Sequence, residues 1–200
     1  MKNTFTCNYP CSDVIHNLIY PKKNLDADKI EIILISEAPT ENPTDYYYMR
    51  ESGAFFKTTQ IAFNDAGISI NSYNDLTNMG IYLTTAIKCP KTDYLVSSKT
   101  IKECSLRILK KEIELFPNIK VIMCMGDFAI KAINYIYKNT YNTQPIKAGS
   151  TYKIRKEKHI FNNIRFIPSY TQTGNSFNIE KSKRKMIAED IKTALKFIKS

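Results

Sequence analysis

The sequence predicts an α/β fold, a three-layer α/β/α sandwich around a mainly parallel sheet of four strands. Four short β-branched runs are almost continuously apolar, and segments with apolar residues at helical spacing alternate with them. Continuous apolar runs are typical of parallel strands that helices cover on both faces. With 200 residues, 43% of them hydrophobic, the chain is expected to form one domain, with residues 1–28 as an N-terminal arm.

The predicted strands and helices follow one another along the chain. The strands are residues 30–35, 81–87, 120–125 and 164–168. A short helix is expected at 58–66, where Gly67 ends it, and a second helix carries an apolar stripe that Pro117 terminates. Asp127 is the expected N-cap of the next helix. The final helix has its apolar stripe over 187–198.

The net charge is compatible with a nucleic-acid partner, and the apolar pattern argues against a membrane protein. Lys and Arg total 29 against 19 for Asp and Glu, a net charge of +10 at pH 7. A basic surface suits a phosphate backbone, although a Lys-rich composition by itself is the competing explanation. The longest apolar run, 121–125, is far shorter than the ~20 residues that a membrane helix needs. The N-terminus has no apolar signal segment, so a cytoplasmic protein is expected. A monomer is expected as well.

The five cysteines divide into one core residue and four others. Cys124 lies inside an apolar strand and is expected to pack as a small hydrophobic residue. Disulfides are not expected in a cytoplasmic protein. The four others are Cys7, Cys11, Cys89 and Cys104. Four thiolates suit a zinc ion or a [4Fe–4S] cluster equally well, and spacing alone does not distinguish either from chance.

Residues that follow the strands suggest a binding site at one edge of the sheet. Ligands of such sheets bind beyond the carboxyl ends of the strands. The first strand is followed by Glu37 and by Pro39, which stiffens the turn. The aromatic segment beyond them contains Phe55 and Phe56, and such rings either stack on a nucleobase or cover the core. For each single ring the core explanation is favoured, so a base-binding pocket around Glu37 remains one of two alternatives at this point.

A second expected contact with nucleic acid follows the fourth strand. Residues 169–178 form a polar loop, and the basic run 181–185 begins the last helix. A charge run is most often a solvated face, but its place beside a polar loop at the binding edge favours phosphate contact.

Several segments together resemble the iron–sulfur branch, families four and five, of the uracil-DNA glycosylase superfamily. Residues 36–40, SEAPT, are similar to that branch's G-E-A/G-P-G motif, and residues 53–56, GAFF, to its G-x-P-F-like element. Residues 81–89, IYLTTAIKC, are similar to V-Y-I-T-N-x-x-K-C. Cys104 matches a cysteine near a helix start, and the N-terminal pair is C-x3-C where C-x2-C is usual. The resemblance covers nearly the whole chain in the family's order.

The resemblance implies a DNA glycosylase of base excision repair that hydrolyses the N-glycosidic bond of a deaminated base, with uracil first. Its catalytic residues are then Glu37, Asp45 and Gln172, with Asp45 or Glu41 positioning water. The base-binding residues are Ala38, Phe55, Phe56 and Thr85. The DNA-binding residues are Ser169, Tyr170, Asn175, Lys181, Lys183, Arg184 and Lys185. The ligands of a [4Fe–4S] cluster are Cys7, Cys11, Cys89 and Cys104, with Lys88 and Lys91 as favourable neighbours.

The sequence departs from the family pattern at the catalytic centre. Ser36 and Thr40 replace the glycines of the first motif, and Thr85 stands where the family has a base-reading Asn. The segment that aligns with the family's His-Pro-Ser/Ala motif has no His, since His16 and His159 lie outside every motif. Two alternatives to an active glycosylase therefore remain. One is a nucleic-acid-binding relative that has lost the chemistry, and the other is an unrelated zinc protein.

Overall fold

A mainly parallel sheet forms the centre of the fold. The computed structural model describes residues 5–20 and 25–199. In these residues the strands are β1 Ile32–Ser36, β2 Ile81–Thr85, β3 Val121–Met125, β4 His159–Phe161 and β5 Ile164–Ser169. They form one sheet in the order β2-β1-β3-β5-β4, and only the β4–β5 pair is antiparallel. The predicted α/β fold is confirmed.

Helices cover both faces of the sheet. They are α1 Ala54–Asp65, α2 Tyr73–Asn78, α3 Ser98–Cys104, α4 Lys110–Ile113, α5 Asp127–Tyr141, α6 Thr151–Ile154, α7 Asn175–Ile179 and α8 Lys181–Lys199. A π-helical turn, Ser105–Leu109, joins α3 to α4. Successive side chains of a strand point to opposite faces, so Ile33 and Ile35 pack with α3 and α5, while Ile32 and Leu34 pack with α1 and α8. The two cores give the predicted three layers.

The sheet has a fifth strand that the sequence analysis did not predict. Strand β4 is three residues long and pairs with β5 through a hairpin at Asn162 and Asn163. Both asparagines have positive φ, 48° and 62°, which is typical of a two-residue type I′ turn. A strand this short and half-exposed has too little apolar pattern to be recognised from sequence.

Two helices begin at other residues than predicted. Helix α1 begins at Ala54, four residues earlier than expected, and the Ala54 N–H donates to Asp45 Oδ1 at 3.4 Å. Phe55 therefore lies in the first turn of a helix. The prediction of Asp127 as the N-cap of α5 is wrong, because Gly126 is the N-cap and Asp127 is the first helical residue. Gly126 has a φ of +105°, which residues with a side chain rarely adopt.

A buried ion pair joins the segment after β2 to α4. Lys88 and Glu112 are 0% and 1% exposed, and the Lys88 ammonium pairs with the Glu112 carboxylate. The Tyr82 and Thr84 hydroxyls donate to Glu112 Oε1 at 2.7 and 2.8 Å. Lys88 Nζ in turn donates to Thr84 Oγ1 at 2.5 Å. This network places a salt-bridged Lys at the end of β2.

The described part of the N-terminal arm lies along the segment that follows β2. The Ile15 N–H donates to the Pro90 carbonyl at 2.8 Å, and the Ile19 N–H to the Lys88 carbonyl at 2.7 Å. Residues 1–4 and 21–24 of the predicted arm lie outside the described residues. Over the ranges that are described, no helix has the length and apolar character to cross a membrane.

Candidate active site

A cavity of about 560 Å³ lies at the carboxyl ends of β1, β3 and β5. Glu37 follows β1, Gly126 follows β3, and Ser169 ends β5, so the topology alone brings these three positions together. The side chains that concern the chemistry here are Glu37, Ala38, Phe55, Lys91, Tyr170 and Lys183. The volume falls in the range of about 300–1,000 Å³ that is typical of small-molecule sites.

Glu37 packs directly against the backbone of Gly126. A Cβ on Gly126 would lie 2.8 Å from Glu37 Oε1, so only glycine leaves room for the carboxylate. Desolvation raises the pKa of Glu37, Asp127 adds to this, and Lys91 and Lys131 oppose it. The structure therefore holds an incompletely hydrated carboxylate at the tip of β1, near both Lys91 and Asp127.

The two phenylalanines of the GAFF segment have different positions. Phe55 lines the cavity, and its ring centroid lies 5.2 Å from that of Tyr47. Phe56 is 1% exposed and belongs to the core under α1. Ala38 also lines the cavity, whereas Thr85 is fully buried at the end of β2 and is not among the lining residues. Of the four predicted base-binding residues, the cavity brings together Ala38 and Phe55.

Gln172 lies beneath the cavity in a buried hydrogen-bond network. Its Oε1 accepts from Ser36 Oγ at 3.2 Å, and its Nε2 donates to Tyr47 Oη at 3.2 Å. Ser36 and Tyr47 also share a hydrogen bond. With Gln172 at 1% exposure, its amide is committed to these partners and does not face the cavity. The network links the end of β1, the aromatic segment and the loop after β5.

Asp45 lies outside the cavity lining and braces the start of α1. In addition to Ala54 N–H, it accepts from Asn42 Nδ2 at 3.3 Å through Oδ2. Glu41 is exposed and is likewise not among the lining residues. Neither carboxylate stands beside Glu37.

The four predicted ligand cysteines line a second, smaller cavity of about 80 Å³. Its lining includes Cys7, Cys11, Cys89 and Cys104. The Lys88 N–H donates to Cys104 Sγ at 3.3 Å. The Lys88 ammonium pairs with Glu112, and its charge also acts to lower the pKa of Cys104. Burial raises the pKa of Cys104 to about 12. Cys124 is 0% exposed in the core, as predicted.

The cysteine cavity also contains one of the two histidines. Among the described residues, no three His, Cys, Asp or Glu side chains are arranged to hold one ion. His16 also lines this cavity, and its Nε2 lies 2.8 Å from the Cys11 carbonyl oxygen. The second histidine, His159, is buried elsewhere, with Nε2 2.9 Å from the Ile154 carbonyl oxygen.

The comparison with known proteins identifies the family of the chain. The family model of the uracil DNA glycosylase superfamily matches residues 23–193. The chain belongs to this superfamily. It is also 25% identical over 127 residues to the Type-5 uracil-DNA glycosylase of Thermus thermophilus. The aligned part is 62% of this chain and 56% of that relative, so the chain spans little more than half of the relative's length.

In this uracil-DNA glycosylase superfamily member, four of the predicted DNA-binding residues line either the Glu37 cavity or a groove along α8. Tyr170 and Lys183 line the Glu37 cavity, and Lys183 Nζ lies 5.3 Å from the Tyr170 ring centroid. Lys181 and Lys185 are exposed on α8, along a groove of about 670 Å³ that α8 forms with Asp65.

The remaining predicted DNA-binding residues are engaged within the protein or lie outside the description. Arg184 donates to both carboxylate oxygens of Asp65, at 2.8 to 3.0 Å, and so bridges α8 to α1. Ser169 is buried and donates to Asp190 Oδ2 at 2.7 Å. Asn175 begins α7, but its side chain is outside the described part of the structure. The predicted loop 169–178 therefore shortens to the five residues before α7.

Three cavity residues carry features that the sequence analysis did not assign. Lys91 lines the cavity of Glu37 rather than that of the cysteines, and its charge acts on Glu37. Gly126 is the closest neighbour of Glu37 across the sheet edge. Tyr94 lines the cavity although no motif includes it. The segments of Lys91 and Gly126 could be singled out because each follows a predicted strand. No motif or periodicity in the neighbouring sequence singled out Tyr94.

Proposed function

We propose that this protein is a DNA glycosylase that hydrolyses the N-glycosidic bond of a deaminated base, with uracil the first candidate. The observation that carries the proposal is the Glu37 carboxylate, which stands partly desolvated in one cavity with Phe55 and Lys91. A protein that needed only the fold would have no use for a carboxylate held at that strand tip. Family membership supports the reaction class.

Binding requires that the nucleotide leave the stack and enter the cavity. Extrusion costs a few kcal/mol, which contacts inside the pocket must offset. Phe55 supplies the aromatic wall for the base, and Ala38 leaves room beside it. Tyr170 and Lys183 stand at the cavity on the side of the loop after β5 and suit the flanking backbone.

Cleavage breaks the bond between C1′ and the base nitrogen. The bonding electron pair leaves with the base, a water oxygen bonds to C1′, and the water proton finally goes to the base. Positive charge develops on the sugar, and the ionised Glu37 carboxylate stabilises this charge. Negative charge develops on the base, where Lys91 and the Thr171 hydroxyl are cavity groups of suitable chemistry. These donors take the place of the family's His.

Three predicted site residues are assigned indirect roles in this proposal. Gln172 positions the loop after β5 through Ser36 and Tyr47. Asp45 holds the start of α1, and thereby Phe55, in place. Thr85 packs at the end of β2 beside the network, where it supports the pocket without lining it.

The proposal is tested with oligonucleotides that carry one uracil, hypoxanthine or xanthine. Protein is incubated in excess, and abasic sites are then cleaved with alkali. We expect release of at least one of the three bases above a no-protein control. No release from any of them, together with intact DNA binding, would favour the alternative that this is an inactive nucleic-acid-binding relative. The specific observation for that alternative is that neither described histidine lines the cavity.

We further propose that Cys7, Cys11, Cys89 and Cys104 hold a [4Fe–4S] cluster. All four thiols line one cavity, and each iron of a cluster takes its own thiolate, so the thiols need not meet at one ion. A zinc ion, in contrast, requires them at one centre. The cluster supplies a structural clamp between the arm, the segment after β2 and α3.

Loss of iron should follow substitution of one of these cysteines and not of the core cysteine. Anaerobically purified wild type should be brown with about four irons per chain, and Cys89→Ser should lose most of the iron and the absorbance near 400 nm. Cys124→Ser is the matched control, because Cys124 is buried elsewhere in the core. A colourless wild type with one zinc per chain would contradict the proposal.

DNA affinity should depend on exposed lysines of α8 rather than on Arg184, which Asp65 holds. Reversing Lys181 and Lys185 to Glu should weaken binding to every sequence and reduce the slope of log K against log salt by about two. The control is the same charge reversal at Lys29 and Lys120, at the opposite edge of the sheet. Equal salt dependence in both double variants would show that the α8 face is merely solvated.

A further inference from the structure

A loop beside the cavity exposes two adjacent large apolar side chains. Tyr94 and Leu95 are 83% and 72% exposed. Tyr94 is the most exposed large hydrophobic residue of the described chain, and it lines the Glu37 cavity. A neighbouring pair of such residues at the rim of a cavity marks an interaction surface more strongly than scattered single residues do.

The loop is anchored on both sides of these residues. The Asp13 carboxylate accepts from Ser97 N–H at 2.7 Å and from Thr100 Oγ1 at 2.5 Å, after the exposed pair. The Asp13 carbonyl accepts from Thr92 N–H at 3.2 Å, before it. Lys91 Nζ donates to the Tyr94 carbonyl at 3.2 Å. The apolar pair is thus held out into solvent by a fixed frame.

The surroundings of Tyr94 favour a nucleic acid as the occupant. The Lys91 ammonium lies 5.4 Å from the Tyr94 ring centroid and faces the same cavity as Glu37. An exposed ring beside a lysine suits a nucleic acid, which supplies both a base that can stack and negative charge. The other aromatic residues near the loop after β5 are less exposed: Phe177 is 1% exposed, and Tyr170 is half-buried.

We propose that Tyr94, with Leu95 beside it, stacks on the nucleotide that neighbours the one in the Glu37 cavity. The pair enters from the segment after β2, on a different loop from the one after β5. Because Tyr94 has its ring in solvent, it gains a stacking partner at little cost in lost internal contacts. The inference rests on the proposed function only in that the cavity holds an extruded nucleotide.

The test uses DNA with a tetrahydrofuran abasic site and 2-aminopurine on either side of it. No glycosidic bond is cleaved, so the result does not depend on catalysis. Wild type should quench 2-aminopurine on one side, and Tyr94→Ala should abolish this quenching and weaken binding about five- to hundredfold. Tyr94→Phe should retain both effects, and Leu95→Ala should have a smaller one. Tyr141→Ala is the control, a half-exposed tyrosine at the end of α5.

The outcomes separate this inference from the proposed function. Wild-type quenching and affinity in Tyr94→Ala would overturn the inference, even if wild type releases a base. Tyr94-dependent quenching in a protein that releases no base would support the inference and count against the glycosylase proposal.

Discussion

Glu37→Gln is expected to reduce single-turnover base release by about a hundredfold or more while DNA binding remains. The substitution keeps the size of the side chain and its packing against Gly126, but removes the negative charge that stabilises the developing sugar cation. The measurement is base release under enzyme excess, with binding to abasic DNA measured in parallel. Glu41→Gln is the control, because that carboxylate is exposed and outside the cavity.

The same substitution should not destabilise the protein at neutral pH. Burial raises the pKa of Glu37, so the folded state binds its proton more tightly than the unfolded state does. The ionised form therefore costs stability above that raised pKa, and the cost disappears as the pH falls through it. We expect Glu37→Gln to have a Tm at pH 7 equal to or above that of wild type. A clear loss of Tm would mean that reduced activity reflects misfolding.

The second large effect is expected from the buried Lys88–Glu112 pair. Glu112→Gln leaves a fully buried ammonium without its counter-charge, and breaking such a pair typically costs about 3–5 kcal/mol. Tyr82 and Thr84 also lose the charged acceptor of their hydroxyls. Urea unfolding of Glu112→Gln should show a much lower midpoint, or no folded protein.

A surface pair and a double variant make this prediction specific. Lys120→Met breaks the half-exposed pair with Glu31 and should cost at most about 1 kcal/mol. Replacing Lys88 by Met and Glu112 by Leu together should recover much of the stability, since no buried charge then remains. If Glu112→Gln were as stable as Lys120→Met, the Lys88–Glu112 pair would not be isolated from solvent.

Much of the fold could be predicted because it depends on local patterns. The parallel strands are continuous apolar runs, and the helices carry apolar stripes, so periodicity identified both. Strand β4 was missed because it is short and its pairing depends on β5. The first turn of α1 was missed because Asp45, nine residues earlier, supplies an acceptor for it.

The candidate site also contains residues that the local sequence predicts and residues that it does not. Glu37, Phe55 and Cys89 could be found because each follows a strand or a helix start in a recognisable order. Cys104 was expected near a helix start but is the last residue of α3. The role of Gln172 could not be inferred, because Ser36 and Tyr47, which bind its amide, are 136 and 125 residues away. Arg184 likewise looked available in a charge run, whereas Asp65 of α1 holds it.

The dependence of wild-type base release on pH, measured at single turnover, tests the role of Glu37 most directly. We predict a rate that falls on acidification, with a midpoint above the ordinary Glu pKa of 4.5, because desolvation raises the pKa of Glu37. The residual rate of Glu37→Gln should lack this midpoint. A wild-type rate that is independent of pH down to 4.5, or a midpoint that persists in Glu37→Gln, would contradict the assignment of Glu37 as the catalytic carboxylate.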